Sequence, residues 1–370
     1  MIMKSMKKKV LILVNHNVVI YNFRKELVER LVSDGYEVYL SCPQGNRIEE
    51  LVSMGCKFVE TDVERRSKNP FTDLKLLSHY KKIMKEIKPD IVLSYTIKPN
   101  VYGGIAARGL KIPQLANVTG LGTSIEDGGL SGKFILWLYK FGLKKAKTVF
   151  FQNESNLSFF KDNGIVKSKS VLLPGSGVNL NQHCFEEYPE NTDETVFLII
   201  GRIMKNKGTD EILEAAEVIK AKHKNVIFRF IGFYEDDYKQ KFESALDKGI
   251  VEFCGNQTDV HPFIKESHAT ILASYHEGMS NVLLESAATA RPVLATDIAG
   301  CRETFDDGVS GISFKPKSSA DLVRAIEKFL SLSNDEKKTM GIAGRKKVEK
   351  QFDRQIVVNK YIEEIRKEVN

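Results

Sequence analysis

The chain has 370 residues, 42% of them hydrophobic and 28% charged, and no low-complexity tract, a make-up that excludes fibrous and disordered classes and a length that predicts two domains. Its longest early apolar run, Val10–Val14, stops at Asn15-His16-Asn17, too short for a signal-peptide core or a membrane span. Five cysteines (42, 56, 184, 254, 301) without CxxC spacing read as reduced cytosolic thiols, with neither a disulfide framework nor a zinc site. The net charge of +7 is unevenly divided: residues 1–178 carry 28 Lys and Arg against 16 Asp and Glu, residues 179–370 carry 27 against 32. Only the basic half is expected to face an anionic partner, whether nucleic acid, acidic lipid or a phosphorylated substrate.

In chain order, the apolar run 9–15 predicts a strand, and Phe23, Leu27 and Leu31 recur at helical spacing before a stop at Gly35. A strand at 36–42, a helix around 48–55 and a strand at 57–63 follow, then the basic loop ERRSKNP, a helix at about 72–87 and the strand DIVLSYT. This is the rhythm of a parallel, doubly wound sheet. Glycines, a proline and asparagines cluster at 172–184, and past them the strand–helix alternation restarts at TVFLIIG. The expected fold class is therefore α/β, two Rossmann-like doubly wound domains facing a cleft, with residues 1–178 in the first and 179–350 in the second. A last helix, 351–370, is expected to pack back on the first domain.

Two constellations in the second domain carry chemistry. The strand ending at Gly201 is followed at once by Arg202, and Lys207-Gly208 precedes a helix with Thr209 as its expected N-cap. Arg202 by its planar fork and Lys207 as a point charge suit a diphosphate. Further on, Glu277 and Glu285 bracket a stretch that opens in turn chemistry and becomes a helix from Val282. Such a loop feeding a helix N-terminus is an anion site, and a carboxylate on either side suits a ligand's hydroxyls. A solvated face and a favourable helix start explain the same spacing. In a parallel sheet the strand-end loops share one rim, which would bring both constellations together.

The segments GRIMKNKG, VEFCGNQTDV, EGMSNVLLE and RPVLATDIAGCRETFDDGVSGISF, in that order, resemble the nucleotide-sugar half of retaining GT-B glycosyltransferases of the E-x7-E group. The resemblance implies that Glu277 contacts the donor sugar's hydroxyls and Glu285 the ribose. It further implies that Gly278, Met279, Ser280, Asn281 and Val282 meet sugar and phosphate through their backbone, that Arg202 and Lys207 beside Gly201 stabilise the departing diphosphate, and that the loop holding Thr258 lies near the base. RRSKNPFTDLKLL, SYTIKPNVYGGIAARGLKIP and NVTGLGTSIE resemble the subgroup that extends polyprenyl-diphosphate-linked sugars in bacterial glycoconjugate assembly. That likeness places Lys98, Thr119 and Gly120 on the acceptor side and Arg65-Arg66 near the acceptor's phosphates. The implied donor is a UDP-sugar, a hexose or N-acetylhexosamine. Neither a cofactor nor a metal is implied, since Asp236-Asp237 and Asp306-Asp307 read as loop carboxylates. The chain departs from its likeness where paired glycines usually follow the first strand (here NHNVVIYNF), where a histidine usually approaches the sugar (here Asn117 or Thr119), and at Ser280 and Arg291, which stand for a proline and a glycine.

The segment 132–151 places Phe134, Leu138 and Phe141 along one helical face with Trp137 beside it, among Lys140, Lys144, Lys145 and Lys147. A helix of this kind lies in an anionic membrane interface or buries its apolar face in the core. The implied location is cytoplasmic, peripheral on the inner face of the cell membrane. A nucleotide-sugar epimerase of the same fold and a non-catalytic subunit binding nucleotide sugar are the competing readings. No nucleic-acid reader motif is present.

Overall fold

The computed structural model describes residues 7–63, 69–121, 125, 129–190, 193–235 and 238–369. They form two compact units, residues 1–176 with 354–370 and residues 177–353. The first holds a seven-stranded sheet of β1 (Lys9–Leu13), β2 (Glu37–Cys42), β3 (Lys57–Glu60), β4 (Ile91–Tyr95), β5 (Gln114–Val118), β6 (Thr148–Phe151) and β7 (Lys169–Leu172), in the order β3-β2-β1-β4-β5-β6-β7. The second holds β8 (Thr195–Ile200), β9 (Val226–Ile231), β10 (Glu252–Phe253), β11 (Ala269–Leu272), β12 (Val293–Thr296) and β13 (Gly311–Phe314), in the order β10-β9-β8-β11-β12-β13. Each neighbouring pair runs parallel.

Parallel strands covered on both faces must be apolar throughout, which is why VLIL in β1 and VFLI in β8 are unbroken apolar runs. Val10 and Ile12 enter one core with the helix Asn17–Ser33, while Leu11 and Leu13 enter another with Tyr80 and Met84 of the helix Pro70–Ile87. This is the two-residue alternation of a strand.

The final helix is Arg354–Val369 and packs in the first unit. Val357, Val358, Tyr361, Ile362 and Ile365 join the core of β1 and β2. Arg354 Nη1 donates to Asn22 O (2.8 Å) and to the Glu26 carboxylate (3.2 Å), and Lys169 Nζ donates to Glu364 Oε1 at 2.5 Å. The expected start at 351 is corrected: Gln351 ends the preceding helix, Asn334–Gln351, and the chain crosses at Phe352-Asp353.

The expected helix over 132–151 is likewise three elements. A helix Gly129–Gly142 is followed by a 3-10 turn, Leu143–Lys145, and then by β6. Gly142 sits so close to Val101 that a Cβ would meet Val101 Cα at 2.6 Å, and the β-prone TVFF then takes the strand. No helix among the described residues is long and apolar enough to cross a membrane.

Candidate active site

The strand order of the second unit reverses between β8 and β11, and open α/β sheets present their ligand crevice beyond the carboxyl ends of such a pair. Gly201 and Arg202 follow β8, and residues 273–280 follow β11. The turn Lys205–Lys207 is sewn to the second of these, since Tyr275 N donates to Asn206 O at 3.0 Å. Gly208 has φ +68, and a Cβ there would strike Ala273 O at 2.2 Å. Only glycine allows both that conformation and that approach. The result is an ion pair between residues 70 positions apart: Lys207 Nζ donates to Glu277 Oε1 at 2.5 Å, both side chains half-buried. A small, mostly apolar crevice at the same rim is lined by Gly201, Arg202 and Lys207 and, deeper, by Ile199, Ile203, Phe230 and Ile271. Arg202 itself pairs with Glu235.

Glu277 is fixed from the other side by the loop after β12. Gly300 has φ +86, and a Cβ would meet Glu277 O at 2.7 Å and Gly278 O at 2.8 Å. Ser280 N donates to Gly300 O at 2.8 Å. Ser280 is the N-cap of the helix Asn281–Ala288, its hydroxyl accepting from Leu283 N. The cap hydroxyl of Ser280 fixes the helix start. Asn281 Oδ1 is buried with no hydrogen-bond partner among the described residues, an acceptor left unsatisfied at this helix entrance. Glu285 lies one turn further along the same helix. Behind the loop Cys301 is fully buried; burial first, then the Glu277 carboxylate, push its thiol well up and keep it neutral.

Three expectations need correction in detail. Thr209 does not cap its helix. Gly208 holds the cap position, and Thr209 Oγ1 instead donates to Met204 O (2.9 Å) and accepts from Met204 N (3.0 Å), closing the turn that carries Lys207. The Ser280 amide is committed to Gly300 and so is not offered to a ligand, whereas burial of the Met279 side chain with Val178, Leu284 and Phe352 leaves the expectation for its backbone as it was. Asn117 is 1% exposed and its Nδ2 donates to Tyr361 Oη at 2.5 Å, which makes it an anchor of the final helix rather than a sugar contact.

Thr258 is exposed in the loop after β10. Asp306 accepts from Lys347 Nζ at 2.7 Å and Asp307 from Ser313 N at 2.6 Å; Asp236-Asp237 lie outside the described residues. Among the described residues one cluster has metal-ligand chemistry, Cys184, Glu186 and His261. Its glutamate already carries the Lys265 ammonium at 2.9 Å.

In the first unit the order reverses between β1 and β4. Lys98 follows β4 and pairs with Asp73 Oδ1 at 2.8 Å, while Thr119 and Gly120 follow β5. Arg65 and Arg66 lie outside the described residues. Sequence reasoning passed over Asn15 and Asn17, where Asn15 Oδ1 and Asn17 Nδ2 are buried without partners among the described residues. Their signal was present: polar residues directly at the end of the first apolar strand.

Arg291 is fully buried. Its guanidinium donates to the carbonyls of Lys265 (2.6 Å), Glu187 (2.8 Å), Glu186 (3.0 Å) and Thr289 (3.0 Å). It thus ties the segment that enters the second unit to the body of that unit.

Comparison with known proteins gives a consistent picture. The family profile described as Glycosyl transferases group 1 matches residues 182–347, and that described as Glycosyl transferase 4-like matches residues 9–153. The chain is 28% identical over 361 residues to the N,N'-diacetylbacillosaminyl-diphospho-undecaprenol alpha-1,3-N-acetylgalactosaminyltransferase of Campylobacter jejuni, covering 93% of this chain and 94% of the relative. It is 23% identical to the UDP-Gal:alpha-D-GlcNAc-diphosphoundecaprenol alpha-1,3-galactosyltransferase of Escherichia coli, covering 74% of each. Among solved structures, a glycosyltransferase from Rickettsia africae superposes with TM-score 0.78 at 21% identity over 99% of both chains. Anabaena HepE in complex with UDP and glucose gives 0.78 at 16% identity, covering 97% of this chain and 99% of its own.

Proposed function

The chain belongs to the group 1 glycosyltransferases of GT-B fold, and from that premise we propose that it moves an N-acetylhexosamine or hexose from a UDP-sugar to a polyprenyl-diphosphate-linked glycan in the assembly of bacterial surface polysaccharide or glycoconjugate. Enzymes of this family retain the anomeric configuration. The observation that carries the reading is the Lys207–Glu277 pair at the switch point of the second unit, beside the N-terminus of the helix Asn281–Ala288. The two relatives named for undecaprenyl-diphosphate acceptors support the acceptor class.

In this reading the second unit holds the donor. Glu277 accepts hydrogen bonds from sugar hydroxyls and Glu285 from the ribose. Gly278, Met279, Asn281 and Val282 line the sugar and phosphates through their backbone while Ser280 caps the helix, whose dipole favours their charge, and Thr258 lies near the base. As the anomeric carbon–oxygen bond breaks, negative charge grows on the UDP, and Arg202 and Lys207 stabilise it. An ammonium has three N–H donors, so Lys207 holds Glu277 and the diphosphate together. The acceptor hydroxyl enters on the face the UDP leaves, its proton departing to the leaving phosphate, with no carboxylate nucleophile. Lys98, Thr119 and Gly120 of the first unit, with Arg65 and Arg66, serve the acceptor. The lipid on that acceptor brings the reaction to a membrane surface.

The test is a panel assay of UDP release, offering UDP-hexoses and UDP-N-acetylhexosamines with and without short polyprenyl-diphosphate sugars. Release that requires one donor and the lipid-linked acceptor together is the expected result. Absence of UDP binding would remove the donor assignment.

A further inference from the structure

Among the described residues, the helix Gly129–Gly142 exposes more large apolar side chains than any other helix. Leu130 is 87% exposed, Phe134 and Trp137 59% each, and Phe141 44%. Their spacing of four, three and four residues places them within about 60° of one another at 100° per residue. The opposite side of the same helix buries Gly132, Tyr139 and Gly142, with Ile135, Leu136 and Leu138 packed against the core at its edges. The helix therefore already satisfies its core, and the second apolar stripe is surplus to folding. Leu138, expected on the exposed face, belongs to the core side.

The stripe is ordered. Phe134 and Trp137 stack with centroids 6.0 Å apart, and Trp137 and Phe141 at 6.1 Å. Arg108 lies over the far face of the row, its guanidinium 4.6 Å from the Phe141 centroid, and donates to Phe141 O at 2.7 Å. Lys133 and Lys140 line one edge of the stripe, Lys144 and Lys145 follow it, and all four are exposed. Residues 129–147 contain no acidic residue. Among the described residues no carboxylate is paired with any of these four lysines, whereas Lys147 is held by Glu368 at 3.2 Å. Leucine and aromatic side chains on one line with unpaired cations beside it match the boundary between acyl chains and anionic headgroups.

We propose that the helix Gly129–Gly142 docks this enzyme on an anionic lipid bilayer, with Leu130, Phe134, Trp137 and Phe141 entering the interface and Lys133, Lys140, Lys144 and Lys145 meeting its phosphates. The lipid-linked acceptor of the preceding reading gives this surface its purpose, and the test separates the two. Trp137 is the only tryptophan of the chain, so its fluorescence reports on this face alone. The purified protein is mixed with phosphatidylcholine vesicles, with and without phosphatidylglycerol, and with vesicles whose acyl chains carry bromine. A blue shift and bromine quenching are expected only with the anionic lipid. Each Lys→Ala at 133 or 140 is expected to weaken vesicle binding by about fivefold, and Phe134→Ser with Phe141→Ser by more.

The double variant is also expected to lose transfer to an acceptor embedded in vesicles while keeping transfer to a short-chain, water-soluble one. Vesicle-bound protein with Trp137 unshifted and unquenched would overturn the proposal, because another surface would then hold the membrane. A blue shift that depends on protein concentration without lipid would overturn it in favour of a second copy covering the face. Quenching without transfer to either acceptor would support the surface and remove the transferase reading instead.

Discussion

Lys207 and Glu277, seventy residues apart in the chain, meet at 2.5 Å because the strand order places the end of β8 next to the end of β11. Neither side chain could be brought there by local structure. The turn before Gly208 and the loop before Ser280 are each pinned by a glycine that a Cβ would push away, so the pair is held in position before any ligand arrives. Preorganised charge of this kind acts in the transition state without a cost of reorganisation at the moment of reaction.

Removing either cation should therefore act on turnover. Lys207→Ala and Arg202→Ala are each expected to lower kcat by about 10²–10³-fold, the scale for losing one preorganised charge partner. Because Lys207 also holds Glu277, the effects of Lys207→Ala and Glu277→Ala should fall short of additivity when combined. Steady-state UDP release with unchanged circular dichroism checks both, and normal turnover in Lys207→Ala would sink the assignment.

The glycines make a separate prediction. Gly208→Ala must both adopt a left-handed conformation, at about 1–2 kcal/mol, and displace Ala273 O. Gly35 also has positive φ but has nothing within 4 Å of a Cβ, so Gly35→Ala meets the conformational cost alone. Urea midpoints should drop further for Gly208→Ala, and only that variant should lose activity in proportion beyond its loss of folded protein.

Arg291 is expected to be structural. Arg291→Ala leaves several buried carbonyls without a donor, and a loss on the order of 3 kcal/mol follows. Arg291→Lys should recover little, since an ammonium cannot reproduce the fork that reaches Lys265, Glu187 and Glu186. Thermal unfolding of the three proteins decides it.

Two groups with large shifts contribute to how stability depends on pH. Burial, then the charges of Lys337 and Arg291, bring His268 down to about 4, and its neutral Nδ1 accepts from Val196 N at 3.1 Å. With an unfolded value near 6.5, the unfolded chain binds the proton first as pH falls. Stability is then full above pH 6.5 and declines toward pH 4, by about 3 kcal/mol at most. Glu364 is pushed up by burial but brought down more strongly by Lys169, Lys367 and Thr148, to about 2. Its contribution is present above about pH 4.5 and is lost as pH falls toward 2. Unfolding free energy measured from pH 7.5 downward should slope in the first window for the wild type and less for His268→Asn. Glu364→Gln should flatten the second.

Much of this was legible beforehand because parallel sheets write themselves plainly. Runs such as TVFLII and VIFRFI, separated by helices with recurring apolar positions, admit few alternatives. The motifs around Arg202, Lys207, Glu277 and Glu285 were also visible, and the switch-point rule explains why they converge. Side-chain destinations were not legible. Thr209 closes its own turn instead of capping, Ser280 commits its amide to Gly300, and Asn117 turns to Tyr361. Each outcome depends on a partner brought in by tertiary packing, which no local pattern records. The helix over 132–151 was read too long because its lysines and aromatics keep helical spacing past Gly142, where the contact with Val101 and the strand TVFF take over.

Transfer by this chain is read most directly by mass spectrometry of a polyprenyl-diphosphate-linked acceptor after incubation with the enzyme and one UDP-sugar, run beside Lys207→Ala. The acceptor is expected to gain one hexose or N-acetylhexosamine for each UDP released, and the variant to slow both together. UDP released with no gain in acceptor mass, or a donor converted to its isomer with no UDP released, would contradict the transferase reading.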